Sequence, residues 1–286
     1  MSWRLRIKHV TGFTYAGTAH ASYNEARMTP LTLPWQSTLF SQVETQPAAT
    51  TWRYWDYWGS QVTAFDLQRP HQQLRVTASS LVETADRPPP DEEPAGWAAL
   101  RTAESRDRHV ELLAPTPLTA IDDELTGRAS ALADDLPPAA AAVAIADWVR
   151  ANVAYQPGSN GVRTNAQEAW ALRQGVCQDI AHLTVGMLRA VGLPARYVSG
   201  YLHPSADARI GETVAGQSHA WVEWWVGADR QGSWHGHDPT NGVPAGTRHV
   251  TVARGRDYAD VAPLKGVYHG APAANLGVTV ELTRLA

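Results

Sequence analysis

The sequence predicts an α+β fold in which an antiparallel, sandwich-like β domain precedes a second domain with a helix packed on an antiparallel sheet. Three patterns support this prediction. Apolar and polar residues alternate through residues 1–85, helical periodicity prevails over residues 119–192, and alternation returns over residues 195–202 and 219–239, on either side of a predicted polar loop over residues 203–217. Strands followed by helices are typical of α+β proteins. We therefore expect an N-terminal β domain over residues 1–118 and a second domain over residues 119–286.

Three strand-like runs predict the N-terminal β domain. Residues 5–10 alternate apolar and polar side chains, as do residues 61–67 and 74–83, and a turn occupies residues 56–60. Several short strands without long helices favour a sandwich or half-barrel. An aromatic cluster around the turn is predicted to pack in the core and at the domain interface, with the alternative that part of it lines a substrate groove. Its members are Trp52, Tyr54, Trp55, Tyr57 and Trp58.

Two proline-rich stretches separate the β domain from the helices. Residues 86–94 contain consecutive prolines followed by acidic residues, a composition that ends helices and strands and indicates a linker. Residues 113–119 contain further prolines and mark the entry to the second domain. Helical composition then predicts helices over residues 121–133 and 139–152, the second of which opens with two prolines.

The only cysteine of the chain, Cys177, lies where a loop turns into a helix. Apolar residues recur at helical spacing from Cys177 to Val191, Gly192 supplies a C-terminal cap, and Pro194 prevents continuation. In the first turn, unpaired N–H groups and the helix dipole stabilise a thiolate and can donate to an oxyanion. A free cysteine is more often a buried core residue, but a core rarely requires a thiol at a helix cap. We therefore expect Cys177 to be a nucleophile.

A predicted hairpin downstream carries two further candidate catalytic residues. Residues 219–226 alternate in the manner of a strand, residues 227–232 form a turn, and a return strand ends at Asp238, which places Asp238 beside His219. One face of the first strand carries His219, Trp221, Glu223 and Trp225, and the other carries Ala220, Val222, Trp224 and Val226. With Cys177, these residues form a possible catalytic triad: His219 is the general base and acid, and Asp238 orients it.

Other polar side chains near these residues have more ordinary interpretations. His182 lies off the helical face of Cys177 and is expected to be structural. His235 and His237 could hold a metal with Asp238, but no further ligand cluster is evident, so no metal site is predicted. A second oxyanion donor is not readable from the sequence. Three upstream aromatic residues carry suitable donors, although such residues usually pack in cores: Trp148, Tyr155 and Trp170.

Three motifs surround the candidate triad, at residues 175–183, 219–223 and 238–242. Together they resemble the core of the bacterial transglutaminase-like family, whose members are often described as cysteine proteases of papain-like fold. Residues 56–62 and 76–78 look like the N-terminal β domain of that family, and residues 255–270 look like its C-terminal signature. The resemblance therefore covers nearly the whole chain.

The resemblance implies a papain-like transglutaminase core that transfers an acyl group from an amide through a thioester. It assigns Cys177 as the nucleophile, His219 as the general base and acid, and Asp238 as the orienting residue. It leaves open whether water or an amine accepts the acyl group.

Composition excludes several other classes of function. The chain is 44% hydrophobic and 18% charged with a net charge of −4, which gives no electrostatic reason to expect a nucleic-acid partner. The N-terminus lacks the apolar core of a signal peptide, and no run approaches the ~20 apolar residues that span a bilayer. With one free thiol, these features predict a cytoplasmic protein without a membrane partner. No phosphate loop or dinucleotide fingerprint occurs, so no cofactor is predicted.

The leading hypothesis is therefore a cytoplasmic cysteine hydrolase that acts on peptide or isopeptide amides of a peptide or protein substrate. A glutamine transamidase, which crosslinks or deamidates proteins, is the alternative, because nearby tryptophans could protect the thioester from water. A non-catalytic peptide-binding scaffold is a third possibility, and the complete Cys–His–Asp set argues against it.

Overall fold

The computed structural model describes residues 2–87, 95–157, 164–227 and 234–286, and it has the predicted α+β fold. Its strands are β1 (Ser2–Ala26), β2 (Gln36–Gln46), β3 (Thr51–Trp55), β4 (Gln61–Leu67), β5 (His71–Ala85), β6 (Ala154–Tyr155), β7 (Gln174–Gly175), β8 (Ala195–Leu202), β9 (Thr213–Trp225), β10 (Trp234–Asp238), β11 (Val243–Pro244), β12 (His249–Gly255), β13 (Leu264–Gly270) and β14 (Ala273–Arg284). Its helices are α1 (Trp97–Leu100), α2 (Ala103–Arg108), α3 (Val110–Leu113), α4 (Asp123–Ala133), α5 (Pro138–Asn152), α6 (Ala166–Leu172), α7 (Cys177–Ala190) and α8 (Tyr258–Val261). Most of the predicted linker (residues 88–94) and most of the predicted turn after β9 (residues 228–232) lie outside the described residues.

The long strand β1 organises the N-terminal sheet. Its first residues alternate between exposed and buried positions, as their sequence pattern predicts. It pairs antiparallel with β5 and β4, and β5 pairs in turn with β2. Alternate side chains of these strands form an apolar core that includes Phe65, Leu74 and Val76. The prediction of an antiparallel N-terminal sheet is confirmed.

The last two strands of the chain return to this N-terminal sheet. β14 pairs with β1 from Leu5↔Arg284 to Tyr15↔Ala273, and β13 pairs with the end of β1. β14 also pairs with β9, so β9 connects the N-terminal sheet to the strands of the second half. The predicted boundary at residues 118 and 119 stays a prediction, and these strands join the two halves on either side of it.

The helix α7 is the centre of the second half. It is buried along most of its length and packs against α4, α5, α6 and β9. Its Leu183 and Val185 belong to the same core as Ile145 of α5 and Val222 of β9. The helices α4, α5 and α7 have nearly the predicted bounds. The short helices α1 to α3 and α6 were not predicted, because segments of four to seven residues span fewer than two helical periods.

Two local predictions were wrong. The aromatic residues Trp52, Tyr54, Trp55 and Tyr57 are exposed rather than buried in a core. Trp58 alone of the five is half-buried, and the Arg256 guanidinium of the second half lies 5.6 Å from the centroid of its ring, as the interface prediction requires. The four exposed residues lie on or just after β3, which among the described residues pairs with β4 alone. All five residues of β3 are exposed, so no other element covers either face of this edge strand. The second error concerns residues 213–217, which were predicted as loop but form the start of β9.

Within the described residues, no helix combines the length and the apolar character that crossing a bilayer requires.

Candidate active site

Cys177 is the first residue of α7 and lies partly buried at its N-terminus. The Asp179 carboxylate accepts the backbone N–H of Val176 at 2.9 Å and thereby fixes the first turn. A Cβ at Gly175 would lie 2.8 Å from the Cβ of Asp179, so only glycine leaves room for this cap. The pattern Gly-Val-Cys-Gln-Asp therefore holds the thiol at the N-terminus of a helix, where the helix dipole favours a thiolate.

The hairpin of β9 and β10 brings His219 and Asp238 together. The strands pair from Trp225↔Trp234 to Val222↔His237, so the end of β10 lies beside the middle of β9. The His219 Nε2 donates to Asp238 Oδ2 at 2.7 Å. The His219 side chain is only 10% exposed and Asp238 is fully buried. The turn itself lies outside the described residues, but the strand pairing agrees with the predicted hairpin.

Cys177 completes the row. A hydrogen bond with the Cys177 side chain raises the pKa of His219. Because Nε2 of His219 already donates to Asp238, Nδ1 is the ring nitrogen that faces the sulfur. Burial acts to lower the pKa of His219, but the hydrogen bonds with Asp238 and Cys177 outweigh it and raise the pKa to about 10. His219 therefore carries a proton at neutral pH, as a thiolate–imidazolium pair requires.

Asp238 is held as an anion by five donors. Its Oδ2 accepts His219, Asn241 Nδ2 (2.6 Å) and His249 Nε2 (3.2 Å), and its Oδ1 accepts the backbone N–H groups of Thr240 and Asn241. Burial would raise the pKa of this carboxyl, but the hydrogen bonds from His219 and His249 hold it well below its ordinary value. A buried, charged and fixed carboxylate is what an orienting residue must be.

His249, at the start of β12, is a residue of the site that was not predicted from the sequence. The backbone N–H of Gly246 donates to His249 Nδ1 at 3.2 Å, so Nε2 carries the ring proton and donates to Asp238. Burial lowers the pKa of His249, which keeps the ring neutral. The histidine that joins the predicted pair at Asp238 is therefore His249, and its ring has one defined tautomer.

His235 and His237 do not place their ring nitrogens beside Asp238 as metal ligands. His235 packs against the Trp224 ring, with 4.8 Å between the ring centroids, and His237 also packs on that ring. Among the described residues, the potential ligand atoms that approach one another are those of His219, Asp238 and His249. Since His219 and His249 each donate an Nε2–H to the Asp238 carboxylate, these three residues form a hydrogen-bonded network.

Trp221 is the tryptophan that packs beside the row formed by Cys177, His219 and Asp238. Its ring stacks on His219, with 6.3 Å between centroids, and meets the His249 ring edge-on. Gly200 is the cross-strand partner of His219, and a Cβ there would lie 2.6 Å from the Trp221 ring, so glycine is required. The neighbouring Trp225 packs instead against His109, away from the row.

A cavity of about 480 Å³ opens beside Cys177 and His219. Its walls come from both halves of the molecule: Phe13 of β1 and Leu276 and Val278 of β14 face the catalytic residues. The segment after β12 also contributes Tyr258, Pro263 and Leu264 to the walls. The thiol is therefore accessible to a substrate that lies against the N-terminal sheet.

Two tyrosines, Tyr155 and Tyr197, line the cavity together with Cys177. Tyr155 is 44% exposed and donates to the Gln217 side chain at 3.4 Å, whereas Tyr197 is almost fully buried. Burial raises the pKa of both, and the charge of Cys177 raises it further, so both hydroxyls keep their proton. Trp148 and Trp170 instead pack on each other, with 4.9 Å between ring centroids.

A buried His–Asp pair that faces a cysteine at a helix N-terminus, on an antiparallel sheet, defines the class of proteins built for cysteine-dependent acyl transfer. Comparison with protein families agrees. Residues 126–239 match the model of the transglutaminase-like superfamily, and residues 5–83 match that of the bacterial transglutaminase-like N-terminal region. The chain belongs to the transglutaminase-like superfamily.

Several relatives extend this result. An uncharacterised protein of Mycobacterium leprae is 46% identical over 99% of this chain and 100% of its own length. A protein-glutamine gamma-glutamyltransferase of Pseudomonas aeruginosa is 31% identical over 52% of this chain, which is 24% of that enzyme. The crystal structure of a candidate cysteine protease of Cytophaga hutchinsonii superposes with a TM-score of 0.76 over 100% of this chain and 93% of that protein. Its sequence identity is 23%, so it supports the fold alone.

Proposed function

We propose that the protein hydrolyses peptide or isopeptide amides through a thioester on Cys177, without a metal or cofactor, and that it works in the cytoplasm. The observation that carries the proposal is the row Cys177–His219–Asp238 at the wall of an open cavity. A single nucleophilic thiol remains reduced in that compartment.

The chemistry follows from the protonation states. The Cys177 thiolate attacks the amide carbon, and the charge that develops on the carbonyl oxygen is stabilised by N–H groups at the start of α7. His219 donates its proton to the leaving amine, which departs as the C–N bond breaks and leaves a thioester. Neutral His219 then accepts a proton from water, which attacks the thioester and releases the acid. Asp238 stabilises the imidazolium in both steps.

Transamidation is the second candidate, and the relatedness to a protein-glutamine gamma-glutamyltransferase favours it. In that reaction an amine takes the place of water at the thioester. We place hydrolysis first because the half-exposed Tyr155 and the partly buried Cys177 leave the thiol side of the cavity open to solvent.

Product analysis distinguishes the two reactions. We expect incubation of the wild-type protein with a peptide library to give new free termini, and expect added primary amine to be incorporated into a minority of products. Mass spectrometry measures both, and a chloroacetamide probe should label Cys177 selectively near neutral pH, more slowly in His219→Ala. The Cys177→Ala variant provides the background. Amine incorporation that exceeds hydrolysis would assign transamidation. Labelling of Cys177 no faster than that of a free thiol would contradict both hydrolysis and transamidation.

Tyr155 is proposed as the second oxyanion donor, because both Tyr155 and Tyr197 line the cavity but only Tyr155 is exposed there, whereas Tyr197 is almost fully buried. We expect Tyr155→Phe to lower kcat about 10²- to 10³-fold with little change in KM, as for other oxyanion-hole donors. Alkylation of Cys177 by the chloroacetamide probe forms no oxyanion and is expected to keep its rate. Tyr197→Phe is the matched control. A larger loss of kcat in Tyr197→Phe than in Tyr155→Phe would transfer the role to Tyr197.

A further inference from the structure

One strand edge beside the catalytic cavity has no partner in the described structure. β14 pairs with β1 along one edge, and on its other edge β9 pairs only with Val280–Thr283. For residues 273–279, no described strand pairs with that outer edge. Unpaired N–H and C=O groups along an edge are a template for another strand.

The side chains of β14 become exposed at the point where β9 stops pairing with this strand. Val280 and Leu282 are 4% and 0% exposed, whereas Leu276 and Val278, on the same face of the same strand, are 53% and 49% exposed. The cross-strand pairs Phe13–Leu276 and Thr11–Val278 line the catalytic cavity. An apolar face and an open edge therefore occur together, next to Cys177.

The course of β9 shows where an added strand would lead. Gly216 is the last residue of β9 that pairs with β14, and from Gln217 onward β9 pairs with β8 instead. A strand placed against residues 273–279 would occupy the row of the sheet that β9 vacates. Its end would then meet Gln217, Ser218 and His219, which line the cavity with Cys177.

We propose that β14 binds the substrate as an added antiparallel strand, so that the substrate is an extended protein segment with aliphatic side chains at alternate positions. This inference rests on the proposed function for the fate of the bound segment. Residues 273–279 of β14 have no described strand partner on the outer edge, a length of roughly 23 Å of extended chain at about 3.3 Å per residue. Recognition is then through backbone hydrogen bonds, and Phe13, Leu276 and Val278 select apolar side chains.

Backbone recognition is tested with a fluorescent octapeptide of alternating valine and threonine that has one central glutamine. Binding to the Cys177→Ala variant is measured by anisotropy while single peptide nitrogens are methylated in turn. Loss of one hydrogen bond is expected to raise Kd about fivefold at every second position, with the intervening positions unchanged. A scan without this alternation, or no binding of the parent peptide, would overturn the inference.

Paired variants on β14 test the location. We expect Val278→Asp, which places a charge on the cavity face, to weaken peptide binding about tenfold, and Thr279→Asp, on the opposite face, to leave it nearly unchanged. Equal effects of the two variants would exclude this face. Because these measurements need no turnover, an alternating scan with an inactive wild-type protein would keep strand addition and remove the proposed hydrolysis. Peptide hydrolysis by the wild-type protein together with a methylation scan that lacks the alternation would keep the proposed hydrolysis and remove strand addition.

Discussion

Replacing Asp238 with asparagine is expected to lower kcat/KM for peptide hydrolysis about 10⁴-fold, the size of the effect of the same replacement in a Ser-His-Asp triad. The carboxylate is fully buried and its Oδ2 lies 2.7 Å from His219 Nε2. Asparagine cannot stabilise the imidazolium by charge, and its amide can present an N–H to Nε2, which favours the wrong tautomer. A smaller effect is expected on KM, because Asp238 does not line the cavity.

The pH profile separates this role from a structural one. His219 has its pKa raised to about 10, so the proton needed by the leaving amine is present below pH 10 and lost above it. In Asp238→Asn, burial is no longer opposed by the carboxylate and acts to lower the pKa of His219, so the alkaline limb of kcat/KM should move to lower pH. The exposed Asp207→Asn is the matched control. An unmoved alkaline limb, or a loss below about tenfold, would show that Asp238 does not orient His219.

The three residues proposed as catalytic could be brought together from the sequence because each lies in a locally recognisable element. Helical periodicity begins at Cys177, and alternation with a turn places Asp238 beside His219. His249 was not predictable, since its role depends on β12 entering the sheet beside β8, a pairing between segments far apart in the chain. The Asp238 carboxylate thus has a second imidazole partner that no local pattern indicates.

The errors in the fold have the same origin. Residues 213–217 are polar and contain Gly216, which suggests a loop, yet they form a strand because the chain end supplies β14 as a partner. A Cβ at Gly216 would lie 2.0 Å from the Leu282 side chain, so this glycine permits close pairing. The exposed aromatic residues of β3 follow from its place at a sheet edge, which depends on strand order. Pattern alone shows which residues form strands, but long-range partners decide which strands are covered.

Glu223 is the clearest case of a contact set assembled from distant segments. Its carboxylate is fully buried on β9 and accepts hydrogen bonds from Arg87, Arg196 and Arg254, with Arg196 Nε at 2.8 Å and Arg87 NH2 at 3.0 Å. Burial acts to raise the pKa of Glu223, but the three guanidinium groups outweigh it and lower the pKa far below its ordinary value. Conversely, burial and the charge of Arg254 lower the pKa of Arg196 to about 9. The arginines therefore depend on this one carboxylate.

Glu223→Gln is expected to lower the free energy of unfolding by about 3–5 kcal/mol, because it leaves buried guanidinium charges without their anion. Urea unfolding at pH 7 measures the loss. The control is Glu83→Gln, which breaks the exposed pair with Arg4 and has an expected loss of about 1 kcal/mol or less.

The folded pKa of Glu223 is depressed, so its stabilisation is complete above its ordinary value of 4.5 and is lost as the pH falls toward the folded pKa. The difference between wild type and Glu223→Gln should therefore shrink in acid. A loss at pH 7 no larger than that of Glu83→Gln would show that the arginines do not need this carboxylate.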